Sequence, residues 1–146
     1  MSKYAFVTGG SRGIGRAVCV KLAQMGFCVI VNYVSNDAAA KETIRLIEEV
    51  GGRGELLKFD VADTDASVKA ITGWQESHPD NYVEVLVNNA GVRKDNLLLW
   101  LEPEDWFKVM STDLNSFYNV TRPFLQPMVS HRNGRIINMA YLTGLK

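Results

Sequence analysis

Thr8-Gly9-Gly10-Ser11-Arg12-Gly13-Ile14-Gly15 is the stretch that decides how this chain folds. Tyr4 to Val7, a short apolar run, leads straight into it, and Ile14, Ala17, Val18, Leu22 and Met25 recur after it at helical spacing. A glycine-rich turn between a strand and a helix gathers the first backbone N–H groups of the helix at one place, and glycines let an anion approach them closely. The arrangement suits a pyrophosphate. It does not suit a nucleotide-triphosphatase loop, because Arg16 and Ala17 follow Gly15 where that chemistry needs Lys and then Ser or Thr to reach phosphate and magnesium.

Outward from the glycine turn, strands and helices alternate. Gly26 stands where a left-handed residue would end the first helix. Phe27 to Asn32 is an apolar run with β-branched members, the pattern of a strand covered on both faces. Asp37 is expected to cap a second helix with Ala40, Thr43, Ile44 and Ile47 on one face, closed by Gly51-Gly52. Glu55 to Asp60 reads as a third strand, and Asp63 or Asp65 opens a third helix with Val68, Ile71 and Gln75 in phase. His78-Pro79-Asp80-Asn81 is a turn, and Val83 to Asn88 is the fourth strand. Pro103 suits the first position of a long helix. The apolar face of that helix is expected through Trp106, Val109, Met110, Phe117, Val120, Thr121 and Phe124, with Pro123 and Pro127 kinking or ending it. Arg132-Asn133-Gly134 turns the chain into a fifth strand, Arg135 to Met139. The alternation predicts an α/β fold, a doubly wound parallel Rossmann-type sheet of about five strands in a single domain over residues 1–146.

Composition narrows the function classes. Hydrophobic residues make up 47% and charged residues 22% of the 146, which predicts a packed core. Sixteen basic residues balance sixteen acidic ones, so no basic field exists to condense on nucleic acid or an anionic membrane, and neither partner is expected. Met1-Ser2-Lys3 runs into the first strand without the apolar region of a signal peptide, and the longest wholly apolar run, Leu97 to Leu101, is far too short to span a bilayer. A soluble, cytoplasmic chain is expected. Cys19 and Cys28 lack the spacing of a metal or redox site and are expected as buried thiols, with no metal bound.

The glycine spacing departs from the common dinucleotide fingerprint, with three residues between the first and second glycines and one between the second and third. Written Thr-Gly-x-x-x-Gly-x-Gly, it resembles the short-chain dehydrogenase/reductase family. Asp60-Val61 ending the third strand, Asn88-Asn89-Ala90-Gly91 after the fourth and Gly134-Arg135-Ile136-Ile137-Asn138 entering the fifth agree with it in kind and order. The resemblance covers essentially the whole chain and is strongest to the bacterial 3-oxoacyl-acyl-carrier-protein reductases of fatty acid biosynthesis. It implies that Gly9, Gly13 and Gly15 shape the phosphate loop, and that Ser11 and Ile14 contact phosphates. It implies further that Asp60 accepts from the adenine amino group beside the backbone of Val61, and that Asn88, Ala90 and Gly91 line the adenosine ribose and support the sheet. A strand-end cap at Asp60 and a mere turn at Asn88 to Gly91 are the plainer alternatives. Charge adds a cofactor preference. NAD-binding folds typically place an acid near the end of the second strand, whereas Asn32-Tyr33-Val34-Ser35-Asn36 carries none before Asp37. Arg12 is free to pair with a 2′-phosphate, so NADPH is favoured, with a solvated loop cation as the alternative role for Arg12.

The family's reaction uses a Tyr-x-x-x-Lys pair, a serine that orients the substrate carbonyl, and a helix asparagine in a proton relay. The pair is expected about a dozen residues beyond the serine, and the 146 residues do not contain it: Tyr141 and Lys146 are five apart, and Tyr118 is followed by Arg122. Tyr141 stands at the serine position, with Thr143 two residues too late, and Asp113 stands at the asparagine position. Asn115 is no substitute, since two residues turn about 200° around a helix. The resemblance therefore implies the cofactor-binding portion of an NADPH-dependent reductase of 3-oxoacyl thioesters, small or carrier-bound, with no catalytic set intact and no reduction expected from these residues alone. A catalytically inactive dinucleotide-binding or interaction protein is the alternative. Leu97 to Trp100 are expected as core or subunit contacts. Ile136-Ile137 on an open edge, and Trp106, Phe117 and Phe124 left uncovered, predict self-association.

Overall fold

The computed structural model describes residues 2–90 and 102–139. Gly91, the Leu97 to Trp100 stretch, Tyr141 and Thr143 lie outside the described residues. In chain order the elements are β1 (Tyr4–Val7), α1 (Gly13–Gln24), β2 (Cys28–Tyr33), α2 (Asp37–Glu49), β3 (Arg53–Lys58), α3 (Thr64–Ser77), β4 (Val83–Asn88), α4 (Pro103–His131) and β5 (Arg135–Asn138). The strands pair in parallel in the order β3-β2-β1-β4-β5. The chain winds outward from β1 to β3, then returns to the other side of β1 for β4. That reversal between β1 and β4 is where open α/β sheets bind ligands, beyond the carboxyl ends of the strands.

Strand alternation explains the two helical layers. Ala5 and Val7, Val29 and Val31, Val85 and Val87 pack on one face with Cys19 and Leu22 of α1 and Ile47 of α2. Tyr4 and Phe6, Cys28 and Ile30, Val83 and Leu86 pack on the other with Ile71 and Trp74 of α3 and Val120, Phe124 and Met128 of α4. Phe6 meets Phe124 at a ring-centroid distance of 5.0 Å. Side chains of this size each stabilise the fold by about 1.5–3 kcal/mol when fully buried. Both thiols are buried. Among the described residues no helix is long and apolar enough to cross a membrane.

Several local expectations are corrected. Asn36, not Asp37, caps α2, its side chain accepting from the Ala39 N–H at 3.0 Å. Of the two candidates for α3, Asp63 is the cap, accepting from the Ala66 N–H at 3.0 Å. β3 lies two residues earlier than Glu55 to Asp60 at each end, and β2 is shifted one residue later. The buried face of α3 runs through Ser67, Ile71 and Trp74, which leaves Val68 exposed.

Helix α4 departs most. It continues through Pro123 and Pro127 to His131 and ends at Arg132 in the left-handed conformation. Pro127 has no N–H for the Pro123 carbonyl, and the Gln75 side chain of α3 donates to that oxygen instead, Nε2 to O, at 3.0 Å. Its buried positions begin at Ser116, and Trp106 and Phe117, expected to be left uncovered, are exposed, as is Met110 on the same apolar face. Phe124, expected uncovered, is 1% exposed because it reaches Phe6 at the centre of the sheet. Edge strand β5 is exposed along its length, Ile136 and Ile137 included.

Candidate dinucleotide cleft

The glycine turn is held by side chains from four other segments. Thr8 Oγ1, at the end of β1, accepts from the backbone N–H groups of Asn89 at 2.8 Å and Ala90 at 2.9 Å. Asn89 Nδ2 donates to the Gly9 carbonyl at 3.1 Å. Asn32 Oδ1, buried under the turn, accepts from the Gly9 N–H at 3.3 Å, and its Nδ2 donates to the carbonyls of Leu57 and Phe59 at 3.3 and 3.0 Å. Arg16 donates to the Ser11 carbonyl at 2.6 Å, to the Ala39 carbonyl at 3.0 Å and to Thr43 Oγ1 at 3.1 Å. Thr43 Oγ1 donates in turn to the Gly10 carbonyl at 2.9 Å. Each buried polar atom thus acts as a fixed strut, and the turn needs little reorganisation to meet a ligand.

Two glycines are indispensable for different reasons. Gly13 has φ +59, a conformation that side chains disfavour. A Cβ on Gly15 would collide with the Gly9 carbonyl and come within 2.6 Å of Asn89 Nδ2. The approach of α1 to the turn therefore sets how close its N-terminus comes to the space above. That terminus carries no side-chain cap, since Arg12 is extended and bonds none of the first-turn amides, whereas Asn36 and Asp63 cap the next two helices. An uncapped terminus with positive dipole character, opening on a cleft, fits a phosphate.

The cleft has a volume of about 660 Å³ at the carboxyl ends of β1, β2 and β4. Gly9, Ser11, Arg12, Gly13 and Ile14 form one wall, Tyr33 to Asn36 the opposite one, and Asn89 with Ala90 the base. Ile14 is exposed there, an apolar residue at the first turn of a helix where a flat ligand could cover it. Among the described residues no carboxylate lines the cleft, and Arg12 supplies positive charge there. Asp37 is turned to other partners, accepting from the Tyr33 hydroxyl at 2.7 Å and pairing with Lys58 Nζ at 3.2 Å. The hydrogen bond from Tyr33, then Lys58, holds its carboxyl below the usual carboxylate range.

Of the residues expected to contact a cofactor, Gly9, Ser11, Arg12, Gly13, Ile14 and Ala90 line this cleft. Asn32 and Gly15 lie beneath it and shape the turn. Asp60, Val61 and Asn88 stand outside it. The Asp60 carboxylate accepts from the Ala62 N–H at 2.9 Å, and the Val61 carbonyl accepts from Asn119 Nδ2 at 3.1 Å. Asn88 Nδ2 donates to Thr121 Oγ1 at 3.1 Å and Asn138 Oδ1 at 3.0 Å, stitching β4 to α4 and β5. Asp113 lies on the exposed stretch of α4. The sequence assigns Arg16, Thr43 and Asn89 no hydrogen-bonding role at the turn. Asn89 sits inside a motif already singled out, while Arg16 and Thr43 gain theirs only through the packing of α1 on α2. Burial pushes the Cys19 thiol up to about 12, so it is no nucleophile.

Residues 3–146 match the family model described as short chain dehydrogenase. The chain is 38% identical to the 3-oxoacyl-acyl-carrier-protein reductase FabG of Aggregatibacter actinomycetemcomitans, over 99% of this chain and 60% of that protein. It is also 38% identical to the acetoacetyl-CoA reductase of Paracoccus denitrificans, over 100% of this chain and 57% of that protein. The chain thus spans somewhat over half the length of these curated relatives. A metagenomic short-chain oxidoreductase solved in complex with NADP superposes with a TM-score of 0.84 at 32% identity, over 99% of this chain and 64% of that one. The actinorhodin polyketide ketoreductase solved with NADPH superposes at 0.82 with 29% identity, over 95% of this chain and 53% of that one.

Proposed function

The chain belongs to the short-chain dehydrogenase family, and from that premise we propose that it is the cofactor-binding portion of an NADPH-dependent reductase acting on a 3-oxoacyl thioester. The observation that carries the cofactor is the cleft wall itself, with Arg12 on it and no carboxylate among the described residues that line it. NADPH would supply a hydride to the substrate carbonyl carbon. The chain's own residues bind and orient. First-turn amides of α1 take the pyrophosphate, Arg12 takes the 2′-phosphate by a charge-assisted bond, and Ile14 with Ala90 offers apolar surface. The substrate class is supported by the relatives named as 3-oxoacyl-acyl-carrier-protein and acetoacetyl-CoA reductases.

Titration with both cofactors tests the assignment. The unmodified protein should bind NADPH more tightly than NADH, and Arg12→Ala should cost about 1.5–3 kcal/mol of NADPH binding while leaving NADH nearly unchanged. Equal affinities without a selective loss in the variant would sink it. A second reading, a non-catalytic dinucleotide-binding protein, draws on Asp113 and Tyr141 at positions where the family has Asn and Ser. Kinetics on the protein that carries these residues separates the two. If Asp113→Asn with Tyr141→Ser raises 3-oxoacyl reduction, the reductase scaffold is present; no gain from the pair favours the binding protein. The exposed α4 stretch and the β5 edge support self-association of a polypeptide of residues 1–146, and a monomer across a sedimentation series would refute it.

A further inference from the structure

We propose that Lys58 and Tyr33 determine cofactor specificity by withholding the Asp37 carboxylate from the cleft, an inference that rests on the NADPH reading above. Asp37 is the first acid after β2 and directly follows Asn36, the last residue of the cleft wall. A carboxylate at this end of the second strand accepts from ribose hydroxyls and repels a 2′-phosphate. Here it is engaged from two elements at one oxygen, the Tyr33 hydroxyl at 2.7 Å and Lys58 Nζ at 3.2 Å from Oδ1. Tyr33 and Lys58 end β2 and β3 as partners in register, and the ammonium of Lys58 stands 5.9 Å from the centroid of the Tyr33 ring. Lys41, one turn along α2, adds a second positive charge near the carboxylate.

The cluster resolves a conflict. An acid in the first turn of α2 favours that helix, because its N-terminus carries partial positive charge. The same acid, left unpaired, would place negative potential beside the wall that would receive a 2′-phosphate. Lys58 cancels the charge and Tyr33 fixes the direction of the carboxylate, so Asp37 can serve the helix without costing the phosphate. The Asp37 and Lys58 side chains are 55% and 51% exposed, and a pair so placed contributes little to stability. Its removal should therefore change the potential at the cleft rather than the fold.

Dissociation constants for NADPH and NADH, measured by fluorescence titration on the intact protein, test this directly. Lys58→Met should lower the preference for NADPH about fivefold at low ionic strength and less in high salt, with the thermal midpoint unchanged. Asp37→Asn added to Lys58→Met should restore the preference, and Tyr33→Phe should lower it by a smaller factor. An unchanged ratio in Lys58→Met overturns the inference. A lowered ratio that Asp37→Asn fails to restore also overturns it, since Lys58 would then act on the phosphate itself. Equal affinities in the unmodified protein would overturn the cofactor reading and this inference together.

Discussion

The corner of the molecule around the glycine turn and the corner where α4 begins are built from similar residues and end up in opposite states. Both present apolar side chains at helical spacing. At the turn, α1 lays Cys19, Leu22 and Ala23 on the sheet, and hydrogen bonds of the turn join segments far apart in sequence, Gly9 with Asn32 and Ala90 with Thr8. At the start of α4, Phe107, Leu114 and Tyr118 stand exposed, and the Asn115 side chain bonds Ser111 within one turn of the same helix. Periodicity tells which residues share a face. What lies on that face is decided by long-range polar ties and by the sheet beneath, and at the first corner both are in place.

The sharpest way to break this contrast uses two phenylalanines of one helix. Phe124→Ala should cost about 3–5 kcal/mol in urea unfolding, as expected for a large core truncation, whereas Phe107→Ala, at a site 68% exposed, should stay within about 0.5 kcal/mol. Similar losses for the two would erase the boundary at Ser116.

A pair of glycines comes next. Gly15→Ala should destabilise by about 1–3 kcal/mol through overpacking and weaken NADPH binding, because its Cβ has the Gly9 carbonyl in its way. Gly73→Ala, in the interior of α3 with nothing within 4 Å of the added carbon, should instead stabilise by about 0.5–1 kcal/mol. The same substitution with the same sign at both sites would mean that the close approach at the turn is not tight.

The smallest effect probes how well the core under the turn is sealed. Cys19 keeps its proton in the native state up to about 12, against an ordinary value of 9.0, because burial penalises the thiolate. Its contribution to stability is fully present below the pH at which the unfolded thiol ionises, and is lost as pH rises from there through the native value. Natural chain and Cys19→Ala compared by denaturant midpoint should therefore diverge above pH 9, by roughly 1.4 kcal/mol per pH unit. Parallel curves would show that the thiolate is solvated where it sits.

Much of the fold was legible because strand burial on two faces leaves a plain signature. Val83 to Asn88 is found at the predicted bounds, and the order of elements follows from alternation alone. One cap falls on the neighbour of the expected residue, for a tertiary reason. Asn36 and Asp37 are adjacent and chemically similar, and Asp37 is drawn off by Tyr33 and by Lys58 on the neighbouring strand, which no local pattern reports. Of the candidate site, the glycine turn and the Arg12 charge could be read from spacing. Asn32 could be named but not placed, since its burial under Gly9 depends on where β3 pairs. In sequence Arg16 does no more than spoil a triphosphate loop, and its grip on Ser11 and Thr43 emerges when α1 meets α2.

The Gln75 side chain on the Pro123 carbonyl has a consequence for the order of folding events. A helix ordinarily supplies all its own donors and can lengthen before it docks. Past Pro123 this one cannot, because Pro127 withholds the hydrogen that the next turn requires. The missing hydrogen arrives on another helix, so the last turns of α4 become secure only after α3 has settled against them. Secondary structure there waits on tertiary assembly, and amide exchange in the segment after Pro127 should report the docking of α3 rather than the intrinsic fraying of a helix end.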